Sequence, residues 1–237
     1  MNPLNPTQTA PSIALLEDDV VLRERVLLPG LKDFGFVVSG HETAAALYAH
    51  LQNQAADIVI LDVGLPDQDG FSVARQLREI YPLLGIVMLT GRGKTPDRVR
   101  GLSEGADAYL SKPVEIELLA ATLHSLARRL RGNGERTKVH PGWRLDADGW
   151  CLLTPSGAVV ALTKSERSLF ACLSASPGKL VTREALIAAL TSNVFDFDNH
   201  RLDSMIHRLR RKVADACGEP LPLSAVHGEG YVLTATR

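Results

Sequence analysis

Residues 58–62, Ile-Val-Ile-Leu-Asp, constrain the fold of this chain more than any other stretch. Four apolar residues in a row, three of them β-branched, read as a strand buried on both faces, which belongs in a parallel sheet covered by helices. The run stops at one carboxylate, Asp62, and turn residues follow at once in Val63-Gly64-Leu65-Pro66-Asp67-Gln68-Asp69-Gly70. Asp62 therefore sits at the carboxyl end of its strand, the edge where open α/β sheets carry their chemistry. Taken alone, such an aspartate is more often a turn residue than a reactive group.

The flanking sequence extends the sheet. Short apolar runs at 13–16, 36–40, 58–61, 85–89 and 108–110 alternate with helical stretches near 20–33, 42–53, 70–80, 95–104 and 115–130. Five strands alternating with five helices predict an α/β fold, a doubly wound five-stranded parallel sheet. The stretch 95–104 is sharply bounded: Thr95 suits the cap, Pro96 the first helical position and Asp97 the helix dipole, while Gly105 can close it. Residues 131–138 contain two glycines and no apolar residue, the composition of a linker.

Beyond the linker the period changes. Trp143–Leu145, Trp150–Leu153 and Ala158–Leu162 read as a short antiparallel meander with turn residues at 146–149 and 154–157. Helices follow at Lys164–Ser174, with Thr163 and Glu166 as a capping box, at Arg183–Leu190 behind Thr182, and from Asn199 to about Ala216. The chain closes on a hairpin, Leu223–Val226 and Tyr231–Thr234 around His227-Gly-Glu-Gly230. This second part is an α+β domain. The expected division is a disordered tail at 1–11, a first domain at 12–130, the linker at 131–138 and a second domain at 139–237.

Composition excludes several classes. No apolar run approaches the ~20 residues of a membrane span. The start, rich in Pro, Asn and Thr, lacks the basic and apolar regions of a signal peptide. Cys151, Cys172 and Cys217 have no metal-ligand spacing and read as reduced thiols, so the expected location is cytoplasmic. Residues 1–130 carry 12 Lys+Arg against 16 Asp+Glu, a net of −4, and residues 131–237 carry 14 against 11, a net of +3. An acidic half joined to a basic half suits a regulatory domain fused to one that meets a polyanion, although charges this small also arise by chance.

The strand ends of the first domain share one chemistry. Strand one runs into Glu17-Asp18-Asp19 and strand three into Asp62, so these carboxylates would converge at one edge. Clustered carboxylates repel unless a hard cation lies among them, and oxygen-only ligands suit Mg²⁺. Strand four ends in Thr90-Gly91 and strand five in Ser111-Lys112-Pro113, adding a hydroxyl and an ammonium to the same edge. An acid pair, a lone Asp, a Thr and a Lys make a phosphoryl-transfer set, with Asp62 as nucleophile and Lys112 and Thr90 on phosphoryl oxygens.

Residues 12–130 resemble the receiver domain of two-component response regulators, through the acid cluster, LDVGLPDQDG, LTG and SKP in that order. The resemblance implies a CheY/flavodoxin-like receiver with Asp62 as phosphoacceptor. It implies that Asp18, Asp62 and the Gly64 carbonyl hold Mg²⁺, with Glu17 acting through water. Thr90 and Tyr109 are then the switch pair and Lys112 the phosphate contact. Residues 140–237 resemble the winged-helix DNA-binding domain of the OmpR/PhoB family, through LTKSERSLFACLSASPGKLVTREALIAAL, HRLRRKV and AVHGEGYVL.

The helical period agrees with that resemblance. Leu202, Ile206, Leu209 and Val213 fall on one face, and Arg201, Ser204, His207, Arg208 and Arg211 on the other, with Met205 at its margin. A basic stripe opposite a core stripe is usually only a solvated face. Between a helix-turn and a hairpin it reads as a recognition helix for the major groove, with His227 at the wing tip against the minor groove or phosphate.

The family resemblance implies a sensor histidine kinase as phosphoryl donor, homodimerisation on activation, double-stranded promoter DNA as target, and RNA polymerase as a partner of the 191–198 loop. It places Arg98, Asp107 and Arg129 on the dimer surface. Several positions depart from the family pattern there: Ala108 replaces a second acid, Val114 an aromatic residue, and Thr122 and His124 basic residues. His227 stands where the wing usually has Arg. An alternative of the same architecture is a DNA-binding regulator acting without phosphorylation. Nothing at 140–237 offers a nucleophile–base pair or metal spacing, so an enzymatic output is not expected.

Overall fold

The computed structural model describes residues 10–65, 67–91, 105–132, 142–191, 193–194 and 197–234. The Thr95-capped helix expected at 95–104, the residue Arg98, and most of the expected tail and linker lie outside the described residues. The chain divides into two compact units, Thr9–Gly134 and Glu135–Arg237.

The first unit runs β1 (Ser12–Leu16), a π-helical turn (Leu22–Leu27) continuing into α1 (Leu28–Asp33), β2 (Val37–His41), α2 (Ala44–Asn53), β3 (Ile58–Asp62), α3 (Gly70–Ile80), β4 (Gly85–Thr90), β5 (Ala108–Ser111) and α4 (Ile116–Leu130). All strands are parallel, in the order β2-β1-β3-β4-β5. Side chains alternate across the pleat. Ala14, Leu16, Val59, Leu61, Ile86, Met88 and Tyr109 share a core with Leu47 of α2 and Phe71 and Leu77 of α3. Ile13, Leu15, Ile58, Ile60, Val87 and Leu89 are equally buried on the opposite face.

Because β3 and β4 are buried at every residue, they read as continuous apolar runs and not as alternations. Asp62 and Thr90 are the last residues of their strands, so the strand geometry itself aims them at the edge. α3 starts behind its cap Asp69, whose side chain accepts the Phe71 N–H at 3.4 Å. Gly70 is required there: a Cβ at this residue would collide with the Asp62 carbonyl oxygen. The helix can approach the end of β3 that closely only without a side chain. The π-helical turn in the first helix has no signature in the residue pattern of 20–33.

The second unit contains two three-stranded sheets. β6 (Arg144–Leu145), β7 (Cys151–Leu153) and β8 (Val159–Ala161) form the meander. α5 (Lys164–Ser174), β9 (Leu180–Thr182), α6 (Arg183–Leu190), α7 (Asn199–Cys217), β10 (Leu223–Val226) and β11 (Gly230–Leu233) complete it. The capping box at α5 is present in both directions: Thr163 Oγ1 accepts the Glu166 N–H and Glu166 Oε2 accepts the Thr163 N–H.

Strand β9 is absent from the sequence reading, which assigns Thr182 only to a helix cap. Three residues carry no periodicity, and it is antiparallel pairing with β11 that makes them a strand. The wing is therefore a three-stranded sheet, β10-β11-β9. Gly230 allows this contact, since a Cβ there would strike the Val181 carbonyl oxygen. Leu202, Ile206, Leu209 and Val213 of α7 lie in one core with Phe170, Leu186 and Tyr231. No helix among the described residues is long and apolar enough to cross a membrane.

Candidate phosphoacceptor site and nucleic-acid interface

At the carboxyl edge of the first sheet, the ends of β1, β3, β4 and β5 bring Glu17, Asp62, Thr90 and Lys112 together. Glu17, Asp62 and Thr90 are all buried, with Asp62 only 6 % exposed. Lys112 Nζ lies 2.8 Å from Asp62 Oδ2 and 2.9 Å from Glu17 Oε1, so one ammonium bridges residues 50 and 95 positions away. The Gly64 N–H donates to Asp62 Oδ1 at 3.1 Å. The Lys112–Pro113 peptide that follows is cis.

The electrostatics follow from burial. Desolvation pushes the Glu17 carboxyl above its ordinary range, the Lys112 hydrogen bond opposes that shift, and the Asp62 carboxylate adds to it. Burial works against the Lys112 ammonium, but its bonds to Asp62 and Glu17 outweigh this and hold its pKa above the usual value. Two buried carboxylates with one cation leave the pocket short of positive charge.

Glu17, Asp18 and Asp62 each offer a carboxylate oxygen, all within 4.8 Å of one another. Glu17 Oε2 is buried with no donor aligned to it, although Lys112 Nζ passes 2.6 Å away. An oxygen-only set of three converging carboxylates fits a hard divalent cation.

The third acid of the cluster does not converge, contrary to the sequence reading. Asp19 Oδ1 accepts the N–H groups of Val21 and Leu22 at 2.8 and 3.0 Å, which turns the carboxylate into the cap of the first helical turn. Those bonds lower its pKa, with Lys112 and Arg23 contributing less.

Residues that sequence reasoning passed over support the pocket. Arg23 is buried, and its Nη1 donates to the Glu17 carbonyl at 2.5 Å. Asp67 Oδ2 accepts the Ala44 N–H at 3.0 Å, tying the loop after β3 to α2. Neither contact has a local signature, since each depends on which loops become neighbours.

On the expected dimer surface the structure divides the residues. Arg129 is exposed on α4. Asp107 is engaged within the chain: its Oδ2 accepts from Arg78 Nη2 at 2.7 Å and from the Ile86 N–H at 2.9 Å. Arg78 also donates to the carbonyls of Pro82, Leu84 and Gly105, locking the end of α3 to the entry of β5. His124, read as a surface position, is instead 3 % exposed. Its ring stacks on Phe36 at 4.2 Å and its Nε2 lies 3.0 Å from the Phe34 carbonyl oxygen. The helix turns that face inward, and a carbonyl satisfies the polar nitrogen there.

In the second unit, Arg201, Ser204, His207, Arg208 and Arg211 of α7 are exposed on one face, Met205 is half-buried, and His227 is exposed in the turn between β10 and β11. Among the described residues, Arg208 and Arg211 make local contacts, Arg208 to the Ser204 carbonyl at 3.3 Å and Arg211 to Asp215 at 3.5 Å. Lys212 and Arg210 point elsewhere. Lys212 pairs with Glu166 at 2.8 Å, and Arg210 bonds the Leu223 carbonyl beside the Tyr231 ring.

Asp203 links three elements and was not anticipated. Its Oδ1 accepts from Tyr231 Oη of β11 and from Arg183 Nη2 of α6, both at 2.6 Å. The Tyr231 hydrogen bond, followed by Arg183, holds the Asp203 carboxyl below its ordinary range. Because the folded pKa is depressed, its contribution to stability is present above the unfolded value and is lost as pH falls through the folded one. Tyr231→Phe should cost about 1 kcal/mol in urea unfolding, at the low end for a charged partner because Asp203 is half-exposed. It should also shrink the acid-side loss of stability; an unchanged acid limb would remove Asp203 from this role.

Fold and pocket define a receiver joined to a winged-helix transcription regulator. Residues 13–124 match the family model described as response regulator receiver domain, and residues 157–233 that described as transcriptional regulatory protein, C terminal. The chain is 32 % identical over 237 residues to the transcriptional regulatory protein AruR of Pseudomonas aeruginosa, covering 95 % of this chain and 96 % of that one. It is 32 % identical over 230 residues to the TorCAD operon transcriptional regulatory protein TorR of Escherichia coli, with 94 % and 97 % covered. Its receiver is similar to the crystal structure of a CheY-like receiver domain protein from Methanospirillum hungatei, with a TM-score of 0.50, 25 % identity, and 53 % of this chain and 99 % of that one covered. The chain belongs to the OmpR/PhoB family of response regulators, and is a phosphorylation-controlled transcription regulator.

Proposed function

We propose that Asp62 accepts a phosphoryl group from a sensor histidine kinase, that the charged receivers pair, and that two winged helices then bind adjacent half-sites of promoter DNA. The observation that carries this reading is a buried carboxylate at a strand end, flanked by two further acids and held by one lysine. Asp18, Asp62 and the Gly64 carbonyl would hold Mg²⁺, with Glu17 acting through water. Bound there, the ion neutralises phosphoryl oxygens and carboxylates alike.

The chain's own residues do the rest. One Asp62 oxygen forms the new P–O bond while the P–N bond of the donor breaks, leaving the donor imidazole free. Lys112, already at the Asp62 oxygen, transfers its hydrogen bond to a phosphoryl oxygen. The Thr90 hydroxyl at the end of β4 donates to another, while Tyr109 in the next strand is already buried and takes up the space behind it. Nearly two added charges bias this two-state surface.

Pairing sums two weak DNA interfaces and raises affinity ~10²–10⁴-fold without new contacts. Since Asp107 is engaged by Arg78, the dimer surface would rest on Arg98, Arg129 and the exposed Leu118 of α4. The 191–198 loop would meet RNA polymerase.

Beryllofluoride with Mg²⁺, a phosphoryl mimic, should shift the full-length protein from monomer to dimer in sedimentation and tighten promoter DNA binding. No shift in either would favour the phosphate-independent alternative. For the DNA face, Arg208→Ala should weaken binding to all sequences and flatten the salt dependence by ~1 in slope, as loss of one phosphate contact does. An unchanged slope removes Arg208 from the interface.

A further inference from the structure

Outside the carboxylate pocket, one cluster of ligating side chains has no part in phosphoryl chemistry. Ser39 and His41 are two residues apart on β2, the edge strand, so they share a face of the sheet. His50 reaches the same point from the last turn of α2. Ser39 Oγ lies 3.1 Å from His41 Nε2 and 3.2 Å from His50 Nε2, and the two rings are 4.5 Å apart between centroids. Two imidazole nitrogens therefore converge on one oxygen, and all three residues are partly open to solvent.

We propose that Ser39, His41 and His50 form a binding site for a borderline divalent cation of the Zn²⁺ or Ni²⁺ type. Imidazole nitrogen is the ligand such cations prefer, whereas Mg²⁺ and Ca²⁺ prefer carboxylate and carbonyl oxygen. The donor set is thus complementary to that of Glu17, Asp18 and Asp62, and the sheet edge carries two sites of different selectivity. The hydroxyl of Ser39 has one proton, so it serves at most one of the two imidazoles and the Ile13 carbonyl 3.5 Å away, and an imidazole it does not serve must turn its own Nε2–H on the serine oxygen. A cation between the two Nε2 atoms satisfies both lone pairs at once, each ring then carrying its proton on Nδ1. Among the described residues no acceptor holds either Nδ1, so the outer shell that tightens structural zinc sites is lacking there and exchangeable binding is expected.

The site adjoins the phosphoacceptor without sharing a donor with it. The His41 carbonyl accepts the Glu17 N–H at 3.0 Å, a backbone bond, and the carboxylate cluster of Glu17, Asp18 and Asp62 includes neither imidazole. Saturating Mg²⁺ should therefore leave it free.

The test uses the full-length protein in saturating Mg²⁺ with Ni²⁺ as probe. Paramagnetic broadening should reach the ring signals of His41 and His50 before those of His207 and His227, which are exposed. His50→Ala should weaken the Ni²⁺ affinity measured by calorimetry by about tenfold or more, the least that disturbing a ligand shell costs. His50→Gln keeps a hydrogen-bonding group near Ser39, and it should lose the cation as fully while leaving thermal unfolding in the absence of Ni²⁺ close to wild type. Equal broadening of all histidines, or unchanged affinity in His50→Gln, would overturn the proposal.

Discussion

Asp62→Asn is expected to abolish phosphoryl uptake while leaving the receiver folded. The amide has nearly the volume of the carboxylate, and its oxygen can still accept the Gly64 N–H that now holds Asp62 Oδ1 at 3.1 Å. What it lacks is a nucleophilic oxygen. Incubated with acetyl phosphate and Mg²⁺, the wild type should gain one phosphoryl group by intact mass and the variant none. The gain in DNA affinity that follows pairing, ~10²–10⁴-fold, should vanish with it. Persistent uptake by the variant would move the acceptor to another carboxylate, Asp18 being the more open neighbour in the cluster.

Lys112→Met should be the most destabilising single change at the site, and the only one that Mg²⁺ repairs. Methionine keeps the length of the side chain but removes the ammonium that Glu17 and Asp62 share. Two buried carboxylates then face each other without a counter-charge, a loss of about 3–5 kcal/mol for breaking a buried pair. Glu17, already pushed up by burial with the ammonium as its main opposition, should take up a proton. A divalent cation restores the missing charge, so Mg²⁺ should raise the urea midpoint of the variant well beyond what it does for wild type, through binding to the folded state alone. Equal increments in the two proteins would show that Lys112 and the cation do not compensate the same carboxylates.

The elements were legible wherever the signal is local. The strands at 58–62 and 85–90 read as buried because every residue is apolar until the last, and that last residue is the one each strand presents at the edge. The capping box at Thr163 and Glu166, and the core stripe Leu202, Ile206, Leu209 and Val213, follow from spacings of three and four residues. The site was legible for the same reason: Asp62 and Thr90 end a strand, Glu17 and Lys112 directly follow one, and parallel strands share one carboxyl edge.

Other residues show where such reading stops. Asp19 was grouped with the acids beside it, but a free N–H pair at the start of the next helix claimed it. The family resemblance places Asp107 and His124 on the dimer surface, where Asp107 stays partly exposed and His124 is buried. The structure instead puts Arg78 against the first and stacks Phe36 on the second. Strand β9 is too short to have a period at all.

By itself the sequence determined which residues end the strands, which face of each helix is apolar, and hence the fold, the family and the set of groups at the carboxyl edge of the first sheet. These depend on periods of two and of about 3.6 residues and on turn residues, all expressed within a few positions. Only the tertiary structure decided that Lys112 bridges Glu17 and Asp62, that Asp203 joins α7 to the wing, and that two histidines of β2 and α2 meet at Ser39. Each of these needs partners far apart in the chain. Periodicity fixes the direction of a side chain, while its partner is fixed by the packing of other elements.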